Sequence, residues 1–580
     1  MEPTTRRDFL KTAGLLTATA AFTGGCGRPP GLQKRPNVVL IMTDDQGYGD
    51  VGMRGNDIIQ TPNIDRFTRE GVDFARFYSC PVCAPTRAGL LTGRYHYRTG
   101  VIHTSRGGAK MDGDEVTIAE RLRDSGYATG IFGKWHLGDN HPMRPQDQGF
   151  GDSLVHLSGA IGQAGDIPNS YFDPVLWRNG RQVQTEGYCT DIFTEAAISF
   201  IETNRNRPFF LYLPTNAPHT PLEVAPEYSD PYKAMGLSDT TAKIYGMVAN
   251  IDDNVGRLLA RLDTLKLREN TIVIFMSDNG PQQPRYNAGL RGLKASAYEG
   301  GIRVPFFIRW PDRFSGGGRI DRIAANIDIH PTLLDACAIG PVDSPTLDGV
   351  SLLPMLDGDN SSGLDRKIFI QCHRSLEPKR YQNCAVLTDR YKLLGYPDKF
   401  NDEQFAPPRE PTFELYDIPA DPGEAEDLAG NYPEIVTRLR SAYENWFEYV
   451  KNTRHFTPGR ISIGSEAVGP VRLSRYQDST YVDGLPTGWE VDIKRSGHYE
   501  IRINRGEEGG GKCRLHVKIN STETNRTLEE GQDTALFHLP AGPAKLEIWT
   551  QEEGRPRVVN WSRDRLGDVV IRLKGPSQEL

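Results

Sequence analysis

From Pro36 onward, short apolar runs alternate with stretches of helical periodicity. Asn37-Val38-Val39-Leu40-Ile41-Met42 is apolar almost throughout, the pattern of a strand buried on both faces. Tyr127 to Phe132, Phe209 to Leu213, Thr271 to Met276 and Val304 to Ile308 predict four further strands. Between the third and fourth, Ile244, Met247, Val248, Ile251, Val255, Leu258, Leu259 and Leu262 recur at helical spacing. Val116 to Arg123 and Asp191 to Thr203 also predict helices. Strands alternating with helices predict an α/β fold with a mostly parallel sheet sandwiched by helices.

The texture changes twice more. Ile368-Phe369-Ile370, Ala385-Val386-Leu387 and Lys392-Leu393-Leu394 are short strands with no helix between them, followed by a helix from about Pro433 to Val450. They predict a small antiparallel subdomain. After His455, Trp489 to Ile493, His498 to Ile503 and Ala544 to Trp549 alternate with period two, which predicts an added all-β sandwich. Trp489, Tyr499 and Trp549 are expected in its core. The expected organisation is a leader over 1–35, an α/β domain over 36–365, the antiparallel subdomain over 366–455 and the sandwich over 456–580.

Composition narrows the function. The chain has 580 residues, 38% hydrophobic and 25% charged, as in globular proteins. Its net charge of −7 argues against a nucleic-acid partner. Eight cysteines over this length do not make a disulfide scaffold.

The residues after the apolar strands are polar and reactive. The first strand runs into Asp44-Asp45, the second into Lys134-Trp135-His136, the third into Asn216 and His219, the fourth into Asp278-Asn279. Ligands of open α/β sheets bind beyond the carboxyl ends of the strands. Asp44, Asp45, Asp278 and Asn279 offer oxygen donors, which select Ca²⁺ or Mg²⁺ over zinc. Taken singly, each Asp or Asn also fits ordinary loop capping.

Cys83 falls where a helix is expected to begin, with Pro85 in its first turn and Arg87 one turn on. A helix N-terminus and an arginine favour an anion, so Cys83 is placed as a nucleophile facing an oxyanion. Cys80-x-x-Cys83 as a redox or zinc pair is the competing reading, and a buried structural thiol is another.

Cys83-Ala84-Pro85-Thr86-Arg87 followed by Leu90-Leu91-Thr92-Gly93-Arg94 resembles the type I sulfatase signature of the alkaline phosphatase superfamily. Gly133-Lys134-Trp135-His136-Leu137-Gly138, Leu290 to Lys294 with Tyr298 to Pro305, and Glu414-Leu415-Tyr416-Asp417 with Asp421-Pro422 match further motifs of that family in the same order. The resemblance spans about Pro36 to Val450. It implies that Cys83 is oxidised by a formylglycine-generating maturation enzyme to formylglycine, an aldehyde that hydrates to a geminal diol. One hydroxyl attacks sulfur, and loss of a proton from the other expels sulfate. The resemblance further implies that Asp44, Asp45, Asp278 and Asn279 bind a divalent metal beside residue 83. That metal is expected to be calcium rather than magnesium. Arg87 and Lys134 hold the hydrated aldehyde, His136 is the base, and His219 with Lys294 grips the sulfate and protonates the leaving oxygen. Lys134, His219 and Lys294 thus also bind substrate. Arg285, with Tyr286, is a candidate sugar contact. The segment from Gly159 to Gly187, with Gln163, Tyr171, Phe172, Asp173 and Asn179, resembles a variable substrate loop. The implied substrate is a sulfated carbohydrate or aryl sulfate, with galactose or N-acetylgalactosamine 4-sulfate as the candidate.

The N-terminus reads as an address. Arg6-Arg7 before Phe9-Leu10-Lys11 and a short apolar stretch is the pattern of the twin-arginine export machinery. Thr23-Gly24-Gly25-Cys26 resembles a lipoprotein box, with Thr23 departing from the usual aliphatic residue, so Cys26 is either a lipid anchor or lies near a simple cleavage site. The expected location is periplasmic or on a membrane face. Two rival functions remain at this level: a phosphomonoesterase or phosphonate monoester hydrolase of the same superfamily, and a non-catalytic glycan-binding lipoprotein.

Overall fold

The computed structural model describes residues 35–162, 169–340, 345–359, 365–375, 377–466, 469–474, 480–482, 485–504, 511–552 and 569–574. The export motif, Cys26 and Gln163 lie outside them.

The main sheet contains β1 (Asn37–Thr43), β2 (Val72–Tyr78), β3 (Ala128–Lys134), β4 (Asp152–His156), β5 (Val175–Arg178), β6 (Arg181–Gln184), β7 (Phe209–Pro214), β8 (Thr271–Ser277), β9 (Arg303–Val304), β10 (Phe306–Arg309) and β11 (Gly318–Ala325). Its order is β11-β2-β10-β8-β1-β7-β3-β4-β5-β6, with β9 on β2. The central run β8-β1-β7-β3-β4 is parallel. Val38, Leu40 and Met42 enter one core, while Val39 and Ile41 enter the other. Strands apolar on both faces need helices on both. The helices α1 (Pro62–Glu70), α2 (Cys83–Thr92), α3 (Ile118–Asp124), α4 (Cys189–Asn204), α5 (Pro226–Ala234) and α6 (Asp239–Thr264) supply them. α4 and α6 close one face through Phe193, Phe200, Ile251, Leu258 and Leu262. α2 and α3 close the other through Ala84, Ala88, Leu91, Ile118 and Leu122.

The expected strand Val304–Ile308 is two strands, β9 and β10, both antiparallel to their partners. Pro305 separates them because it has no N–H to give a ladder.

A second sheet, β12 (Ile368–Gln371), β13 (Cys384–Leu387), β14 (Tyr391–Gly395) and β15 (Glu414–Asp417), is antiparallel throughout. One face packs toward the main sheet through Ile370, Leu387 and Leu394. The other is covered by Leu439, Tyr443 and Phe447 of the helix Pro433–Arg454. Beyond it, two further sheets enclose a separate core holding Trp489, Tyr499 and Ile548. Trp549, expected in that core, instead lies on the opposite face of its strand from Ile548, buried and stacked on His516.

A buried ionic cluster ties the second sheet to the first. Lys392 Nζ lies 3.1 Å from Glu299 and 2.8 Å from Glu424, and all three side chains are shielded from solvent. Burial pushes the Glu424 carboxyl up to about 7 despite Lys392. Lys392→Met leaves two buried carboxylates without their ammonium. It is expected to destabilise the protein by about 3–5 kcal/mol. Urea unfolding checks this, and a second change, Glu424→Gln, is expected to recover part of the loss.

Candidate active site

The carboxyl ends of β1, β3, β7 and β8 converge. The β1 and β8 ladder runs to Thr43 and Ser277, and the Asp278 N–H then donates to the Thr43 carbonyl at 3.0 Å. That register sets Asp44 and Asp45 beside Asp278 and Asn279. Asp45 has a left-handed φ of 64°, and its N–H faces Asp278 Oδ1 at 3.3 Å. Gly133 is required where β3 meets β7. Its φ is +139°, and a Cβ there would lie 1.8 Å from the Pro214 carbonyl oxygen.

Three cations answer the three aspartates. Lys134 Nζ lies 2.5 Å from Asp44 Oδ2, and Lys294 Nζ 2.5 Å from Asp45 Oδ1. Arg87 donates to Asp278 Oδ2 through Nη2 at 2.7 Å and Nε at 3.2 Å. Its Nη2 also lies 3.7 Å from Asp44. Burial pushes Asp44 and Asp45 up, but Lys134 acting on Asp44 and Lys294 acting on Asp45 leave both below the ordinary carboxylate value. Burial and neighbouring Asp44 raise Asp278 in spite of Arg87.

Cys83 opens α2, where the expected helix begins, and all ten residues of α2 are buried. Val82 before it is extended, and Gly93 ends the helix at a φ of 69°. Burial pushes the Cys83 thiol up, against the pull of Lys134 and Lys294. Cys83 and Cys80 are both free thiols, so the redox-pair reading finds no bond here.

The histidines are held in defined tautomers by carbonyls, which only accept. His136, at a φ of 60°, donates from Nε2 to the Thr104 carbonyl at 2.8 Å, which leaves Nδ1 as the lone-pair nitrogen. Nδ1 is buried with no hydrogen-bond partner among the described residues. Burial and Lys134 lower the His136 pKa well below the ordinary value, so the ring is a neutral base. His219 donates from Nδ1 to the Thr220 carbonyl at 2.7 Å, and its Nε2 lies 3.6 Å from Asp45 Oδ2.

Asp44 Oδ1, Asp45 Oδ2 and Asn279 Oδ1 are buried without hydrogen-bond partners among the described residues. Unsatisfied buried oxygens are costly, and a hard divalent cation satisfies them together. The residues therefore fit a metal. Asp44, Cys83 and Asp278 also offer ligand atoms within 4.8 Å of one another, as do Asp44, Asp45 and His219. Saturating Ca²⁺ is expected to raise the unfolding temperature of chelator-treated protein, by about 2.7 kcal/mol of stability at about a hundred times Kd. An unchanged melting curve would contradict the metal site.

Arg285, a candidate sugar contact by its place in the sequence, is taken up inside the protein. It does not offer a free guanidinium: its side chain is 1% exposed, paired with Asp50 at 2.5 Å, and it donates to the Asp45 carbonyl at 2.9 Å. It braces the Asp44–Asp45 loop instead of reaching for sugar. Tyr286 is exposed, with its hydroxyl on the Arg54 carbonyl. Tyr171 is buried, donating to the carbonyls of Asn216 and His219, so it props the His219 loop.

Sequence reasoning missed His156. It ends β4 opposite Lys134 in the parallel register, is 1% exposed, and neither ring nitrogen has a partner among the described residues. Asn216, also buried, has a side-chain amide without a partner among the described residues. The same strand-end position marks His156, but Asp152–His156 is too short and mixed in polarity to stand out as a strand.

The arrangement is that of a hydrolase acting on an oxyanion ester: a nucleophile position at a helix N-terminus, surrounded by three cations and a hard-metal cradle. The sulfatase family model matches residues 36–339, and the "N-sulphoglucosamine sulphohydrolase, C-terminal" model matches 293–448. The chain belongs to the sulfatase family and is a sulfuric ester hydrolase. It is 32% identical to arylsulfatase A of Homo sapiens, over 70% of this chain and 86% of that protein. It is 33% identical to N-acetylgalactosamine-6-sulfatase of Canis lupus familiaris, over 61% of this chain and 71% of that one. Among solved structures, Ps i-CgsB in complex with k-i-k-neocarrahexaose matches with a TM-score of 0.64 at 28% identity, covering 71% of this chain and 93% of its own.

Proposed function

We propose that this chain is an exported, formylglycine- and calcium-dependent sulfatase that removes O-sulfate from a glycan containing galactose or N-acetylgalactosamine. The observation that carries the reading is the convergence of Arg87, Lys134 and Lys294 on buried Asp44, Asp45 and Asp278 beside Cys83. Formylglycine formed from Cys83 by a maturation enzyme would supply a hydrated aldehyde as nucleophile, and Ca²⁺ held by Asp44, Asp45, Asp278 and Asn279 would supply positive charge beside it.

The chain's own residues do the rest. Arg87, Lys134 and Lys294 neutralise charge on the sulfuryl oxygens as the S–O bond to the leaving alcohol breaks. Burial alone would lower the Lys294 pKa, but Asp45 holds its ammonium charged. Beside His219, the Lys294 ammonium grips the sulfate and delivers a proton to the leaving oxygen. His136 Nδ1 then takes the proton whose loss releases sulfate.

The glycan assignment is supported by two relatives that are named N-acetylgalactosamine-6-sulfatase and N-acetylglucosamine-6-O-sulfatase. The family resemblance gives the 4-position as the candidate, while the N-acetylgalactosamine relative is named for the 6-position. NMR of N-acetylgalactosamine 4-sulfate and 6-sulfate oligosaccharides incubated with the enzyme tests this. One O-sulfate is expected to disappear. Turnover of an aryl sulfate with no loss from any saccharide would overturn the glycan reading.

A further inference from the structure

The variable segment after β4 carries the β5–β6 hairpin. With the loop between β3 and β4 and with the sandwich, its β5–β6 hairpin lines a cavity of about 260 Å³, bordered by Asp139, His141, Arg144, Trp177, Gln182 and Arg472 among others. We propose that this cavity is a second saccharide subsite, for an anionic, sulfated sugar of the same chain whose neighbour is desulfated. The proposal rests on the glycan reading above.

Three observations carry it. The first is position. Asp139 is the third residue past His136, and Leu157, which also lines the cavity, accepts the His136 N–H at 3.0 Å. The cavity wall and the base's loop are one continuous piece of backbone.

The second is chemistry. Trp177 is half-buried in the β5–β6 hairpin and gives an aromatic face for the C–H side of a pyranose. Asp139 and Gln182 suit hydroxyl groups. Arg144 is fixed in place by Asp147, through Nε at 2.8 Å and Nη2 at 2.9 Å. Its Nη1 makes no hydrogen bond among the described residues. A guanidinium braced on one edge and open on another is preorganised for a sulfate. Arg472 brings a second guanidinium from a different part of the chain.

The third is rigidity. Asn140 donates to the Arg472 carbonyl at 2.9 Å, and the Ser462 N–H to the His141 carbonyl at 3.0 Å. Met143 is buried in the sandwich core, and the indole N–H of Trp135, between Lys134 and His136, donates to the Met143 carbonyl at 3.0 Å. The sandwich wall is therefore locked to the loop that carries two of the proposed catalytic side chains. Neither family model extends past residue 448, so the Arg472 wall lies outside the shared region.

The test compares the full-length enzyme with Trp177→Ala and Arg472→Ala on two substrates: 4-nitrophenyl sulfate and a chondroitin sulfate hexasaccharide. Arg472 is exposed, so its variant keeps the fold. Both variants are expected to retain aryl sulfate turnover and to raise KM for the hexasaccharide about tenfold, a typical cost for one lost charged or aromatic contact. Unchanged hexasaccharide KM in both would overturn the subsite. Should the parent enzyme not desulfate the hexasaccharide, the glycan reading fails separately. Calorimetric binding of the intact hexasaccharide to Cys83→Ala, with and without Trp177→Ala, then decides the cavity: equal binding overturns it. Equal affinity for a fully desulfated hexasaccharide would overturn its anionic character.

Discussion

Cys83→Ala is expected to abolish sulfate release, a fall of at least about 10⁴-fold, with no comparable loss of stability. Removing a nucleophile from a constellation that acts as a unit costs nearly all of the chemistry. The structural cost is small for three reasons. Alanine is an excellent helix former, the position already lies at the first residue of α2, and Ala84 and Ala88 show how tightly small side chains pack along this helix. The cations around it remain paired with their aspartates. Circular dichroism and melting curves matching the parent, with no sulfate release, are the expected pair. Retained turnover would place the nucleophile elsewhere.

Lys134→Ala is expected to be damaged in both activity and stability. Its ammonium is fully buried against Asp44, and the nearest other cation, Arg87, stands 3.7 Å from that carboxylate and is already committed to Asp278. Breaking a buried pair by removing one partner costs about 3–5 kcal/mol. Loss of one fixed charge from an oxyanion site lowers kcat by about 10²- to 10³-fold. The two effects are separable: bound Ca²⁺ is expected to restore part of the stability by answering Asp44, and none of the turnover. A variant of normal kcat would remove Lys134 from the account.

The fold's central strands were readable because β1, β7 and β8 are nearly continuous apolar runs and β3 keeps Ile131-Phe132 at its centre, and their polar ends fell where a parallel sheet delivers them. β2 was invisible for the opposite reason. Its sequence carries Asp73 and Arg76, and these are tolerated only because Arg54 pairs with the first and the Asp321 carbonyl accepts from the second. Such partners exist only after folding. Arg285 failed as a sugar contact on the same ground. Its nearness to Asn279 in sequence suggested a rim residue, yet its partner Asp50 is 235 positions away. His156 was missed because β4 has no sequence signature of its own and is placed by pairing with β3.

The most direct test is the ratio of sulfate to phosphate release from the two esters of one phenol. The protein is produced with a formylglycine-generating enzyme, and the mass of the peptide containing Cys83 is read in parallel. Rapid sulfate release, a much slower phosphate reaction and a peptide mass shifted from thiol to aldehyde are predicted. Aldehyde in the peptide together with phosphate release outrunning sulfate release would contradict the account.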